Sequence, residues 1–222
     1  MQDQDQTNHS RRRFLGFFGA SAGLLAAPMV SAKPAPAKGA RSLSLHNLHT
    51  GEKLSTDFWI DGDYQPDALA AIDRILRDHR SDQTRAMDRG LVVLLHGLTA
   101  KLGSNKPVEI ISGYRSPGTN AMLRAKSSGV AKKSYHTRGM ALDIRVPDRE
   151  LSDVYYAARA MNAGGVGYDG RSRFVHIDVG PVRTWGAKPK TQPRLNATGH
   201  CARLTLPLRS LRAEVGTAVT DA

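Results

Sequence analysis

Between residues 42 and 60, apolar and polar positions alternate on either side of His49-Thr50-Gly51-Glu52. A period of two marks a half-buried strand, so this stretch predicts a β-hairpin that turns near Gly51. The period then lengthens. Leu69, Ile72, Ile75 and Leu76 recur at helical spacing and predict a helix over 66–80. Asp63 or Gln65 is placed to begin it, and Pro66 suits its first turn. A second helix is predicted over 87–102 and stopped by Gly103. Val108, Ile110 and Ile111 form a strand over 107–112, after which Ser116-Pro117-Gly118-Thr119-Asn120 opens a helix running to residue 126. A strand over 139–146 carries Ala141, Asp143 and Arg145 on one face. A helix over 150–161 and short strands over 166–168 and 174–179 complete the pattern. The mixture predicts an α+β fold, with helices packed around a small, mainly antiparallel sheet.

The two ends fall outside this pattern. Ser10-Arg11-Arg12-Arg13-Phe14-Leu15 places consecutive arginines before an apolar run that reaches Val30. Val30-Ser31-Ala32 then offers small residues for cleavage, so residues 1–32 read as an export signal and the mature chain begins at Lys33. Gly16, Gly19 and Gly23 interrupt the run, which is at the short edge for a membrane span, and no span is expected once the signal is cleaved. Residues 33–41 are rich in Pro, Ala and Lys and read as a linker. Residues 42–186 form the folded domain, and residues 187–222 are a basic tail without clear periodicity.

Composition narrows the function classes. The formal charge is +12 over 222 residues. A basic exported protein is drawn to acidic polymers such as cell wall or anionic lipid. Nucleic acid is the competing class, but zinc-finger spacing and aromatic-rich RNA-binding motifs are missing and export argues against it. The single cysteine, Cys201, excludes an intramolecular disulfide, and with His200 alone it makes a poor metal site. Nothing in the sequence calls for an obligate oligomer, so a monomer is expected.

The candidate chemistry lies in His136, Asp143 and His176. Two imidazoles and a carboxylate suit a tetrahedral zinc ion, and three protein ligands leave the fourth position open for hydrolytic work. The spacing is not that of the helical His-Glu-x-x-His motif. With Gly139 between them, it fits a loop histidine followed by a strand aspartate. Asp178 follows His176 by two and projects to the same strand face. It is the candidate catalytic residue, either as general base or as the carboxylate that holds a ligand histidine. His46, His49 and His96 lack such partners and read as ordinary structural residues. Trp185 reads as a large aromatic that closes the core, and Arg138 as a solvated or structural residue.

These residues also carry a resemblance. His136-x-x-Gly139-x-Ala141-x-Asp143, with His176 downstream, resembles the zinc motif of the D-Ala-D-Ala carboxypeptidase and murein endopeptidase group. Ser112-Gly113-Tyr114-Arg115-Ser116 is similar to that group's substrate-side motif. Gly164-Gly165-Val166-Gly167-Tyr168 and the stretch from Phe174 to Trp185 resemble a subgroup of twin-arginine-exported murein endopeptidases. The resemblance spans roughly residues 41–186. It implies a hedgehog-like zinc peptidase fold, one zinc per chain held by His136, Asp143 and His176, and a periplasmic enzyme that cuts peptide cross-links at diaminopimelate. Peptidoglycan stem peptides are the implied partner. Arg115 is implied as a clamp for a substrate carboxylate, which a planar guanidinium binds through paired hydrogen bonds. Tyr114, Ser134 and Tyr168 are expected to line the groove.

The chain also departs from the group. Many relatives carry a histidine two residues before the last ligand, or an acid three before it. Here those positions hold Phe174 and Arg173. Two alternatives therefore stand beside the endopeptidase: a noncatalytic wall-binding module that retains zinc, and a D-Ala-D-Ala carboxypeptidase.

Overall fold

A computed structural model describes residues 39–127, 129–187 and 189. The predicted export signal, the predicted linker up to residue 38, Cys201, His200 and nearly all of the predicted basic tail lie outside the described residues.

The hairpin forms where the alternation predicts it. β1 (Arg41–Asn47) pairs antiparallel with β2 (Lys53–Ile60). Asn47 organises the turn, its side-chain oxygen accepting from the backbone N–H groups of His49 and Thr50 at 2.9 and 3.3 Å. A two-residue strand, β3 (Asp63–Tyr64), extends the hairpin. It is too short to show a period in the sequence.

Helix α1 (Pro66–Ile75) begins at the expected proline but ends short of the predicted residue 80. Its apolar period stops at Leu76, and beyond that point polar bonds divert the backbone. Tyr114 N–H donates to the Leu76 carbonyl at 2.7 Å. Arg77 donates to Glu52 at 2.6 Å and to Asp82 at 2.5 Å. The Asp78 carboxylate accepts from Arg80 N–H and Ser116 N–H at 3.0 and 2.9 Å. These bonds satisfy groups that a further helical turn would have pointed elsewhere. Helix α2 (Arg89–Leu102) starts two residues later than predicted, because Asp88 caps it by accepting from Gly90 N–H at 2.8 Å. Gly103, at φ +61°, ends it in the left-handed conformation.

Then follow β4 (Val108–Ser112), α3 (Pro117–Lys126) capped by Ser116, β5 (Ala141–Arg145), α4 (Leu151–Met161), β6 (Gly165–Asp169), β7 (Phe174–Asp178) and β8 (Arg183–Gly186). The strands form one eight-stranded sheet in the order β3-β2-β1-β4-β5-β7-β6-β8. The α+β class and the mainly antiparallel pairing are as expected. The sheet is larger than the sequence reading implied, and β1/β4 and β6/β8 pair in parallel.

The core explains which way each strand faces. Leu142 and Ile144 on β5 lie opposite Ile177 and Val175 on β7, and all four are buried. They join Leu45, Phe58, Ile72, Leu95, Leu98 and Tyr155 in a single apolar cluster. Because side chains alternate along a strand, burying this set sends Asp143 and His176 to the opposite face.

Candidate metal centre

The sheet register assembles most of the site. Ser112 pairs with Asp143, Asp143 with His176, His176 with Gly167, and Gly167 with Trp185. These five residues make one row across β4, β5, β7, β6 and β8. His136 comes from outside the sheet, on a 3-10 turn at Tyr135–Arg138. Gly139 closes that turn at φ +70°, and a Cβ there would meet the Ala86 carbonyl oxygen at 2.7 Å. Glycine is therefore required both by conformation and by space. The turn then feeds directly into β5, so Gly139 fixes how His136 faces Asp143.

Three ligand atoms converge. His136 Nε2 lies 3.2 Å from His176 Nδ1 and 3.4 Å from Asp143 Oδ1. His176 Nδ1 lies 2.9 Å from the same oxygen. Metal–ligand bonds of roughly 2.0–2.1 Å to zinc give a tetrahedron whose edges are about 3.3 Å. The triangle matches one face of that tetrahedron. Among the described residues, these three form the group of His and acidic side chains able to hold a metal.

The nitrogens that face away from the triangle are also engaged. His136 Nδ1 lies 2.8 Å from the Gly113 carbonyl, which can only accept, so the proton sits on Nδ1 and Nε2 is a free lone pair. His176 Nε2 lies 3.0 Å from Asp178 Oδ2, which leaves Nδ1 as its ligand atom in the same way. Burial works against the Asp143 carboxylate, but the two imidazoles beside it outweigh that and hold its pKa well below the ordinary range. Burial also pulls His176 down, and its bonds to Asp143 and Asp178 more than reverse this, so the ring is shifted upward. The centre is thus a buried anion between two oriented imidazoles, and the donor set suits a borderline-soft cation such as zinc.

Asp178 is fully buried. Its oxygens accept from Gly165 N–H at 3.1 Å, Gly180 N–H at 2.8 Å and both terminal nitrogens of Arg183 at 3.1 and 2.7 Å. Burial raises its pKa, while the bonds from His176 and Arg183 bring it well below the usual carboxylate value. Asp178 touches the ring nitrogen of His176 that points away from the ligand triangle. The Arg183 partnership is set by the fold and is not evident from the sequence. The only local signal was a cation five residues on, beyond Gly180-Pro181.

A family model described as Peptidoglycan L,D-endopeptidase MepK matches residues 35–185. The chain belongs to this family. It is 44% identical over 181 residues to the Peptidoglycan L,D-endopeptidase MepK of Escherichia coli strain K12, covering 82% of this chain and 100% of the relative. The protein of that name from Shigella flexneri matches to the same extent. The Probable peptidoglycan L,D-endopeptidase MepK of Haemophilus influenzae is 40% identical over 184 residues, covering 80% of this chain and 96% of the relative.

The three converging residues open onto a groove of about 920 Å³. Ser134 and Tyr168 line it, together with Arg115, Lys133, Arg171 and Trp185. Tyr114 does not. It is buried in the apolar cluster, because its N–H is tied to Leu76 and its ring follows the backbone into the core. The Arg115 side chain is 12% exposed and lies 3.8 Å from Asp143 Oδ2. It donates at long range to Asn120 and Ser112, at 3.4 and 3.3 Å, and its buried Nε has no hydrogen-bond partner among the described residues. Arg115 thus keeps donor capacity for a ligand in the groove. Arg173, three residues before His176, is at φ +56° and lines a separate cavity with Glu109 and Arg145. Phe174 lines the groove.

His46, His49 and His96 lie outside the group formed by His136, Asp143 and His176. His96 Nδ1 lies 2.9 Å from the Ser42 carbonyl, and His49 stacks on His79 at 3.8 Å. Arg138 lies over the Tyr135 ring at 4.2 Å, a structural contact. Trp185 departs from the sequence reading. It is 43% exposed and lies outside the apolar cluster.

Proposed function

We propose that the chain is an exported, zinc-dependent murein endopeptidase that hydrolyses peptide cross-links of peptidoglycan at diaminopimelate. The observation that carries this reading is the ligand triangle, with edges of 2.9, 3.2 and 3.4 Å and the remaining nitrogen of each imidazole tied to an acceptor. Family membership supports the same substrate, since the relatives bear the name of a peptidoglycan L,D-endopeptidase. Action on peptidoglycan implies a place outside the cytoplasm, and Arg11-Arg12-Arg13 before an apolar run fits twin-arginine export to the periplasm. Among the described residues, no helix is long and apolar enough to cross a membrane.

His136, Asp143 and His176 would hold the ion. When bound, zinc lowers the pKa of a water and polarises a peptide carbonyl. The remaining roles belong to the chain's own residues. Arg115 orients the substrate through a carboxylate, using donors that the protein leaves poorly satisfied. Ser134 and Tyr168 bound the groove. Asp178 was a candidate for base or for holder of a ligand histidine. Its contact with His176 Nε2 and its full set of donors favour the second role, in which it fixes the ring's proton and orientation.

Cross-linked sacculi incubated with the full chain, with and without chelator, test the proposal beside a His176→Ala variant. The expected result is loss of cross-linked dimers that chelator and substitution each abolish. Shortened pentapeptides with intact dimers would instead indicate a carboxypeptidase. One observation favours a second reading: Phe174 and Arg173 precede His176 by two and three residues, so no histidine or acid stands there as a base. A folded, zinc-loaded protein that binds sacculi and releases nothing would establish the wall-binding module.

A further inference from the structure

An exposed tryptophan on an edge strand needs a reason, since its indole has more apolar area to bury than almost any other side chain. Trp185 is held in place by a gap in its neighbour. Gly167 lies between Trp185 and His176 in the cross-strand row. A Cβ at position 167 would fall 2.6 Å from Trp185 Cε2 and 2.7 Å from its Nε1. A side chain at position 167 would displace the indole from its place across β6. The indole crosses toward the ligand triangle, where its ring centroid is 4.9 Å from that of His176, at an interplanar angle of 58°. The Arg183 guanidinium lies 4.9 Å from the indole and also holds Asp178. The indole is thus fixed against two parts of the centre, and the residue, 43% exposed, lines the groove.

We propose that Trp185 is a specificity-determining residue whose exposed indole takes the aliphatic side chain of the substrate residue flanking the scissile bond. This rests on the endopeptidase reading above. An extended peptide advances about 3.3–3.6 Å per residue. A surface within van der Waals reach of His176 therefore meets a residue next to the bond being cut, not the glycan at the far end of the stem. Diaminopimelate offers a methylene stem that ends in charged groups. The indole would cover the stem, and Lys133 and Arg171, which line the same groove and make no ion pair among the described residues, would face the charged end.

The test uses zinc-loaded full chain and two substrates: a cross-linked muropeptide dimer, and the same dimer stripped of its disaccharides. Trp185→Ala is expected to raise KM about tenfold on both, with kcat held within about threefold, and Trp185→Phe to recover most of the loss. In a Trp59→Phe background, where Trp185 is the remaining tryptophan, metal-free protein is expected to change its emission when the stripped dimer is added. A fall in kcat at constant KM, or weaker zinc binding, would overturn the proposal and make Trp185 a support for His176. A KM effect confined to the disaccharide-bearing dimer would overturn it in favour of sugar stacking, and unchanged kinetics would overturn it outright. If the wild type cleaves neither dimer, the endopeptidase reading fails, and the emission titration still decides whether Trp185 meets the peptide.

Discussion

Replacing Asp178 by Asn separates its two candidate roles. Gly165 N–H and Gly180 N–H both donate to Oδ1, so in the variant the amide oxygen stays there. The amide nitrogen then takes the place of Oδ2, 3.0 Å from His176 Nε2 and 2.7 Å from Arg183. A donor now faces the ring nitrogen that carried the proton. The ring satisfies it by moving the proton to Nδ1, which is the atom 2.9 Å from Asp143 Oδ1. A protonated Nδ1 has no lone pair for a metal. Loss of a carboxylate that orients a ligand histidine typically weakens metal binding by about 10–100-fold, or about 1.4–2.7 kcal/mol. The forced tautomer places Asp178→Asn at or beyond the upper end of that range. Zinc affinity, measured against a competing chelator at about pH 7.5, is the assay, with circular dichroism to confirm the fold. Asp178→Ala should weaken zinc less than Asp178→Asn, because alanine leaves Nε2 free to keep its proton. An Asp178→Asn protein that binds zinc within about threefold of the wild type but has lost cleavage would refute this reasoning and restore Asp178 as general base.

Three further outcomes are expected. Gly139→Ala forces a side chain into φ +70° and against the Ala86 carbonyl, and should cost about 2–3 kcal/mol in urea unfolding while weakening zinc through His136; unchanged stability would mean that the turn readily rearranges. Arg115→Lys keeps the charge and loses the planar fork, so KM for cross-linked peptide should rise roughly tenfold with kcat little changed; a stability loss at constant KM would instead assign Arg115 to structure. The third concerns acid. Burial, with help from the neighbouring His49 and Arg80, lowers the His79 pKa to about 4. The folded ring stays neutral where the unfolded ring, near its ordinary 6.5, takes a proton. Stability is therefore full above about pH 6.5 and lost as pH falls toward 4, by about 1–2 kcal/mol after allowing for water at its open side. Chelator-treated His79→Gln should lose less stability than the wild type between about pH 7 and about pH 4.5, and equal losses would remove His79 as the cause.

The site was partly legible because some of its determinants are local. A histidine, a glycine three residues on and an aspartate at seven announce a turn that enters a strand, and the structure has that turn at Tyr135–Arg138 and that strand at Ala141–Arg145. Alternation alone placed His176 and Asp178 on one face. It said nothing about which side of the imidazole each partner would meet. That depends on β5 lying beside β7, a pairing between residues 33 apart in the chain. Tyr114 misled because its motif sits next to the groove while its own N–H is drawn to Leu76, a contact across 38 residues. Trp185 misled because size predicts burial, whereas its position is set by the gap at Gly167 on the adjacent strand. β8 itself carries no apolar alternation and exists by pairing with β6.

The sequence by itself determined the α+β class, most element positions, and the identities of the residues that converge on the centre, because side-chain chemistry and short-range periodicity are properties of neighbouring residues. Only the tertiary structure decided the strand order, the free nitrogen on each imidazole, the engagement of Asp178 with Arg183, and the exposure of Trp185. Those follow from which distant strands share hydrogen bonds, and burying the apolar cluster selects that pairing for the chain as a whole.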